Sequence, residues 1–212
     1  MKNLDIWQRV HEEGQRELLN ATQKLIFRRG EVVYRQGDLP RGLYYIEEGL
    51  VGLVMTGEAS GKEHLLRFFK TSQFFGHRTL FADGVYHATA TALEKTVVSF
   101  IPKDPFLRIA DQNPCLYKDV IQVLASELRT SEVRHVGIME NQVLIRTAQA
   151  LVYLKDLYPE HNWTRKEIAN FCASTTSTVI KAMAQLEERG LIAQDGRSIK
   201  VLERKGLIEL EE

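Results

Sequence analysis

The sequence predicts an α+β chain in three parts: an N-terminal jelly-roll-type β-barrel, a long helix, and a C-terminal winged helix-turn-helix. Three observations carry that prediction. Short apolar strands punctuated by glycine turns occupy the first half, a single apolar stripe at helical spacing follows Cys115, and two short helical patterns after Trp163 lead into two strands around Asp195-Gly196. The expected boundaries are residues 1–112 for the barrel, 113–139 for the long helix and hinge, and 140–212 for the C-terminal domain. At 212 residues with 44% apolar side chains, the chain can fill two cores.

Leu4 to Leu19 reads as a short N-terminal helical segment. From Lys24 the texture changes to strands, at Glu31-Val32-Val33-Tyr34, Leu43-Tyr44-Tyr45-Ile46 and Leu50-Val51-Gly52-Leu53-Val54. After the polar turn Gly57 to Gly61 come Glu63 to Phe69, Ala88 to Ala92 and Val97 to Ile101. Helical texture resumes at Pro102. Between Cys115 and Gly137, Val120, Leu124, Leu128 and Val136 fall near one face, with Ile121 and Ala125 beside them and Ser131 within the stripe. A helix of about 22 residues, roughly 33 Å long, suits a two-chain seam, so a homodimer helix through Val120, Ile121, Leu124, Leu128 and Ser131 is expected. The competing arrangement is a helix packed on its own barrel. Gly137 is the expected hinge, and Asn141 to Leu157 the next helix, with Leu144, Ala148, Leu151 and Leu154 inward.

Thr164 followed three residues later by Glu167 is a capping-box signature, which starts a helix carrying Ile168, Phe171 and Cys172 inward. Ala173-Ser174 makes a turn and Thr175 caps a second helix. There Val179, Met183 and Leu186 lie within roughly 60° of one another, a buried stripe opposite Ser177, Lys181, Ala184 and Glu188. Small hydroxyls at the amino end of a helix with a cation one turn on suit insertion into a DNA major groove. A helical hairpin that only packs is the alternative. Ala193 to Leu202, interrupted by Asp195-Gly196, then forms a hairpin wing.

Charge and composition bound the partners. The 28 basic and 28 acidic residues cancel, so contact with a polyanion rests on distribution rather than net charge. Residues from Trp163 onward balance their bases against acids, several of which crowd the terminus at Glu209, Glu211 and Glu212. The amino terminus lacks an apolar signal core, and no uncharged run approaches the roughly 18 residues of a membrane span, so a cytoplasmic location and no membrane partner are expected. Two cysteines, Cys115 and Cys172, cannot form a four-thiolate cluster. No Walker, GxSxG or HExxH signature occurs, so an enzyme is not expected, nor a cofactor. His64, His77 and His87 lack a carboxylate or thiolate at ligand spacing, and surface histidines rather than a metal site are expected.

The residues Thr164, Arg165, Glu167, Ile168, Thr178, Val179, Leu186, Glu187, Leu191 and Ile192 resemble the DNA-binding domain of the Crp/Fnr family of bacterial transcription regulators. Tyr34-Arg35-Gln36-Gly37-Asp38, Leu43 to Ile46 and Glu48-Gly49 are similar to the opening of its cyclic-nucleotide-binding-like domain. The resemblance thus covers nearly the whole chain. It implies double-stranded DNA as partner, a homodimer, contact with RNA polymerase, and phosphate contacts from Thr164, Arg165, Thr175 and Thr178. Thr176, Ser177 and Lys181 would face bases, and they depart from the family's arginine-glutamate-arginine reader. Arg197 in the wing would hold phosphate.

The resemblance places an effector pocket at Gly76, His77, Arg78 and Thr79 and again at His87, Ala88 and Thr89. Cyclic-AMP-binding members carry a glutamate after the glycine and an arginine followed by serine or threonine. Here His77, His87 and Ala88 stand in those places. A neutral imidazole supplies neither the charge nor the fork of a guanidinium. An empty or vestigial pocket is expected, with a different anion at the amides after Gly76 and at Arg78 as the alternative. The implied function is a regulator that does not depend on cyclic AMP, constitutive or answering to another ligand. The competing reading is a sensing module whose winged helix binds a protein.

Overall fold

In the computed structural model, residues 10–82 and 84–210 are described. The chain divides into two compact units, one comprising the residues up to Thr56 with Leu66–Thr130, the other Gly57–Leu65 with the residues from Ser131 onward.

The first unit opens with α1 (Glu12–Ala21). Eight strands follow: β1 (Gln23–Phe27), β2 (Val32–Tyr34), β3 (Gly42–Glu48), β4 (Leu50–Thr56), β5 (Glu63–Lys70), β6 (Phe74–Phe75), β7 (Thr89–Ala92) and β8 (Thr96–Pro102), with the one-turn helix α2 (His77–Leu80) after β6. They form two four-stranded sheets, ordered β1-β8-β3-β6 and β2-β7-β4-β5. Alternation along β3 explains the layering. Tyr44 and Ile46 point between the sheets with Tyr34, Val51, Leu53, Phe75, Val98 and Phe100, whereas Leu43 points the other way, into a layer with Ile101, Phe106 and Ile109. Helix α3 (Lys103–Gln112) supplies Phe106 and Ile109 to that outer layer, and α1 supplies Leu18.

Helix α4 (Cys115–Glu140) is the longest element. Leu116 and Val120 are buried in the outer layer of the first unit, and Leu124 packs beside them. Val120 therefore belongs to its own domain's core rather than to an exposed seam, because it lies on the same face as Leu116. Ile121 and Leu128 point elsewhere, 64% and 58% exposed, and so do Val136 and Met139. These four fall within roughly 80° of one another at about 100° per residue. The helix also runs straight through Gly137. The helical run ends after Glu140, at Asn141-Gln142, where the Asn141 amide still bonds the Gly137 carbonyl at 3.1 Å.

The second unit contains α5 (Val143–Leu157), α6 (Arg165–Phe171), α7 (Thr176–Glu188), the hairpin β9 (Ile192–Asp195) and β10 (Ser198–Val201), and α8 (Arg204–Ile208). Ala148, Leu151, Leu154, Trp163, Ile168, Cys172, Val179, Met183, Leu186 and Ile192 form its buried interior. The two-residue β6 and the short α8 leave no periodic signal, and sequence reasoning missed both. The N-terminal helix begins at Glu12. The part of that expectation before Val10 lies outside the described residues.

Candidate functional site

Two constellations stand out, one in each unit. In the second unit, Thr164 caps α6 in a complete capping box: its hydroxyl accepts from the Glu167 amide at 3.1 Å, and the Glu167 carboxylate accepts from the Thr164 amide at 2.7 Å. Buried His161 lies 3.3 Å from the same carboxylate and edge-on to Trp163. Burial alone would raise the Glu167 pKa, but the hydrogen bonds from His161 and the Thr164 amide outweigh it and lower it. Ala173 then adopts a left-handed conformation, φ 52°, and turns the chain into α7.

Thr175 caps α7, accepting from the Thr178 amide at 3.2 Å, and its hydroxyl also meets those of Ser177 and Thr178 at 3.0 and 2.7 Å. Val179, Ala182, Met183 and Leu186 are buried, whereas Thr176, Ser177 and Lys181 are exposed on the outward face. The wing is tied to both helices through Gln194. The Glu187 carboxylate accepts from its amide and side chain at 2.6 and 3.0 Å, and its side-chain oxygen accepts from Arg165 at 3.0 Å. Asp195 pairs with Ser198, so the turn residues are Gly196 and Arg197 rather than Asp195-Gly196, and Gly196 takes φ 54°. Arg197 is exposed at the tip.

In the first unit, a cavity of about 20 Å³ is lined by Tyr34, Leu53, Arg67, His77, Arg78 and Glu127 among others. That is room for about one water. Gly76 takes φ 84° at its rim, where a Cβ would press on Tyr44 and the Gly42 carbonyl. His77, expected at the surface, is buried, because its ring turns inward to lie 3.3 Å from Glu127 Oε2. Arg78 Nε donates to the same oxygen at 3.2 Å, and Arg67 pairs with Oε1. Burial would push the Glu127 carboxyl up, but His77 and then Arg67 overcome this and hold it at about 2. His87 is pushed below the usual imidazole range by burial and by the charges of Arg78 and Arg67. Ala88 is fully buried, and Thr89 accepts from the Gln36 amide at 3.0 Å. Helix α2 is a single turn, and the cationic side chains lining the cavity are Arg67 and Arg78.

Residues 24–113 match the cyclic nucleotide-binding domain family, and residues 145–210 match the Crp-like helix-turn-helix domain family. The chain belongs to the Crp/Fnr family of transcription regulators. It is 26% identical over 211 residues to a CRP-like cAMP-activated global transcriptional regulator of Mycobacterium tuberculosis, covering 95% of this chain and 94% of that one. It is 25% identical over 194 residues to the cyclic AMP receptor protein of Thermus thermophilus, covering 91% and 89%. A solved Crp/Fnr-family transcriptional regulator, also from Thermus thermophilus, is 28% identical and superposes with a TM-score of 0.75 over 88% of this chain and 97% of that one.

As a Crp/Fnr chain, this protein has the helix-turn-helix of a DNA-binding regulator. The fold gathers Thr164, Arg165, Thr175, Thr176, Ser177, Thr178 and Lys181 on α6 and α7, with Arg197 at the wing tip. It gathers His77, Arg78, Thr79 and His87 around the cavity. Arg67 and Glu127 were missed. They lie 60 residues apart in sequence, and no motif joins them. One signal was available: Glu127 falls seven residues after Val120, an ionisable group on the covered face of a helix.

Proposed function

We propose that this Crp/Fnr regulator binds specific double-stranded DNA in the cytoplasm as a homodimer, without cyclic AMP. The observation that carries DNA reading is the exposed row Thr176, Ser177 and Lys181 on a helix whose opposite face is buried, beside an exposed arginine at a two-residue wing turn. Thr164, Arg165, Thr175 and Thr178 hold phosphates and fix register, while the other three reach base edges. Arg165 is positioned for this by Gln194, so its guanidinium enters the complex already oriented.

Homodimerisation is supported by Ile121, Leu128, Val136 and Met139, an exposed apolar row on α4, and by the family's action as dimers. Two-fold pairing places two α7 helices one helical turn of DNA apart, roughly 34 Å. Independence from cyclic AMP is supported by His77, His87 and Ala88, where a nucleotide needs a carboxylate, a guanidinium and a hydroxyl. Each lost charged hydrogen bond removes about 1.5–3 kcal/mol. The relatives' use of cyclic AMP is therefore not carried over to this chain.

Selection of genomic fragments by the purified protein, followed by sequencing, tests the reading. A two-fold motif with half-sites about ten base pairs apart is the expected result. Retention of random and selected fragments alike would contradict it. Capture of a protein through the winged helix, with no DNA retained at low salt, would favour the sensing-module alternative.

A further inference from the structure

The cavity in the first unit holds one carboxylate and three groups that bind carboxylates. Glu127 is 2% exposed, and Arg67, Arg78 and His77 converge on its two oxygens. Arg67 also donates to the Glu127 backbone carbonyl at 3.4 Å, so one guanidinium grips both the side chain and the helix that carries it. Arg67, its side chain 15% exposed, lines the cavity with Leu53, Phe69 and Tyr34, so leaving it there without a counter-ion would be unfavourable, whereas Arg78, 38% exposed, still reaches water. Glu127 on α4 provides the counter-ion.

We propose that Glu127 is a built-in ligand: it fills the pocket's anion site from within the same chain, in place of an external anionic effector. The cluster is a carboxylate site by composition, with a guanidinium on each oxygen and an imidazole on one of them. Its resident carboxylate is covalently attached, so it competes with any free anion as an intramolecular ligand. With Glu127 in place, the cavity has room left for about one water. The ion cluster ties α4 to β5 and α2, so on the proposed DNA-binding function no external anion is needed at this site. That consequence rests on the proposed function; the occupancy of the site does not.

Chemical complementation tests the proposal. Glu127→Ala removes the side chain beyond Cβ and leaves a void the size of acetate. In calorimetry and thermal melts, the variant should bind acetate saturably, at roughly millimolar affinity, and regain melting temperature with it, at constant ionic strength against chloride. Wild type and the nearly isosteric Glu127→Gln should bind none. Acetate binding by wild type equal to that of Glu127→Ala would overturn the proposal, and so would a folded Glu127→Ala that ignores acetate. If Glu127→Ala folds neither with nor without acetate, the cycle of Arg67→Gln, Glu127→Gln and the double variant decides. A double-variant urea midpoint close to those of the single variants supports the cluster, and additive shifts contradict it. DNA affinity, measured separately by anisotropy, reports on the regulator reading. Its absence alongside acetate rescue would leave the built-in ligand standing and remove only its consequence for DNA.

Discussion

Lys181 and Arg197 are both exposed cations in the same unit, and the proposed DNA reading gives them different roles. Lys181 projects from the outward face of α7, and Arg197 from the wing turn. Lys181→Ala should weaken specific binding by about 1–3 kcal/mol and relax preference at one position of each half-site. Arg197→Ala should weaken all sequences alike and lower the salt slope by roughly one unit per half-site. Binding titrations on selected and random DNA at several salt concentrations separate the two. Equal losses on both DNAs for Lys181→Ala would make it a phosphate contact. Glu127 gives a residue-scale prediction in pH. Its folded pKa of about 2 lies below the ordinary carboxylate value, so its contribution is fully present above about pH 4.5 and is lost as pH falls toward 2. The gap in urea midpoint between wild type and Glu127→Gln should therefore narrow between pH 5.5 and 3.5, and a gap independent of pH would mean that charge is not what the substitution removes.

Helix α4 serves two surfaces, and its substitutions should divide accordingly. Leu116 is buried in the first unit's outer layer, and Leu116→Ala should lower stability by about 2–5 kcal/mol while leaving the association state unchanged. Ile121→Lys with Leu128→Lys places charges on the exposed row and should yield a folded monomer by light scattering with an unchanged circular dichroism spectrum. A persistent dimer would move the interface elsewhere. This element also marks where sequence reasoning succeeded and where it fell short. Apolar spacing located the helix, but a stripe with Val120, Ile121, Leu124 and Leu128 in it does not say which side meets which neighbour. Val120 and Leu128 lie eight residues apart, far enough around the helix for one to enter a core and the other to stay out. By contrast, the capping box at Thr164 and the Thr175 cap were legible to the residue, because each is a local hydrogen-bonding pattern written within four positions.

At the scale of the whole molecule, the sequence carried the jelly-roll-type sheets, the long helix and the winged helix-turn-helix, since each has its own period or turn chemistry. The pocket was legible only as substitutions at His77, His87 and Ala88. Its actual content depends on Arg67 in β5 and Glu127 in α4, brought together by tertiary packing that no local pattern records. The proposed picture is a Crp/Fnr regulator whose pocket is filled by its own Glu127 and whose α7 exposes Thr176, Ser177 and Lys181. DNA affinity should then not answer to the family's nucleotide. The most direct test is fluorescence anisotropy of the purified protein on a selected operator and on random DNA of the same length, with and without saturating cyclic AMP. The account predicts binding about 10³-fold or more tighter on the operator, with the same isotherm in both conditions. Specific binding that appears only when cyclic AMP is added would contradict it.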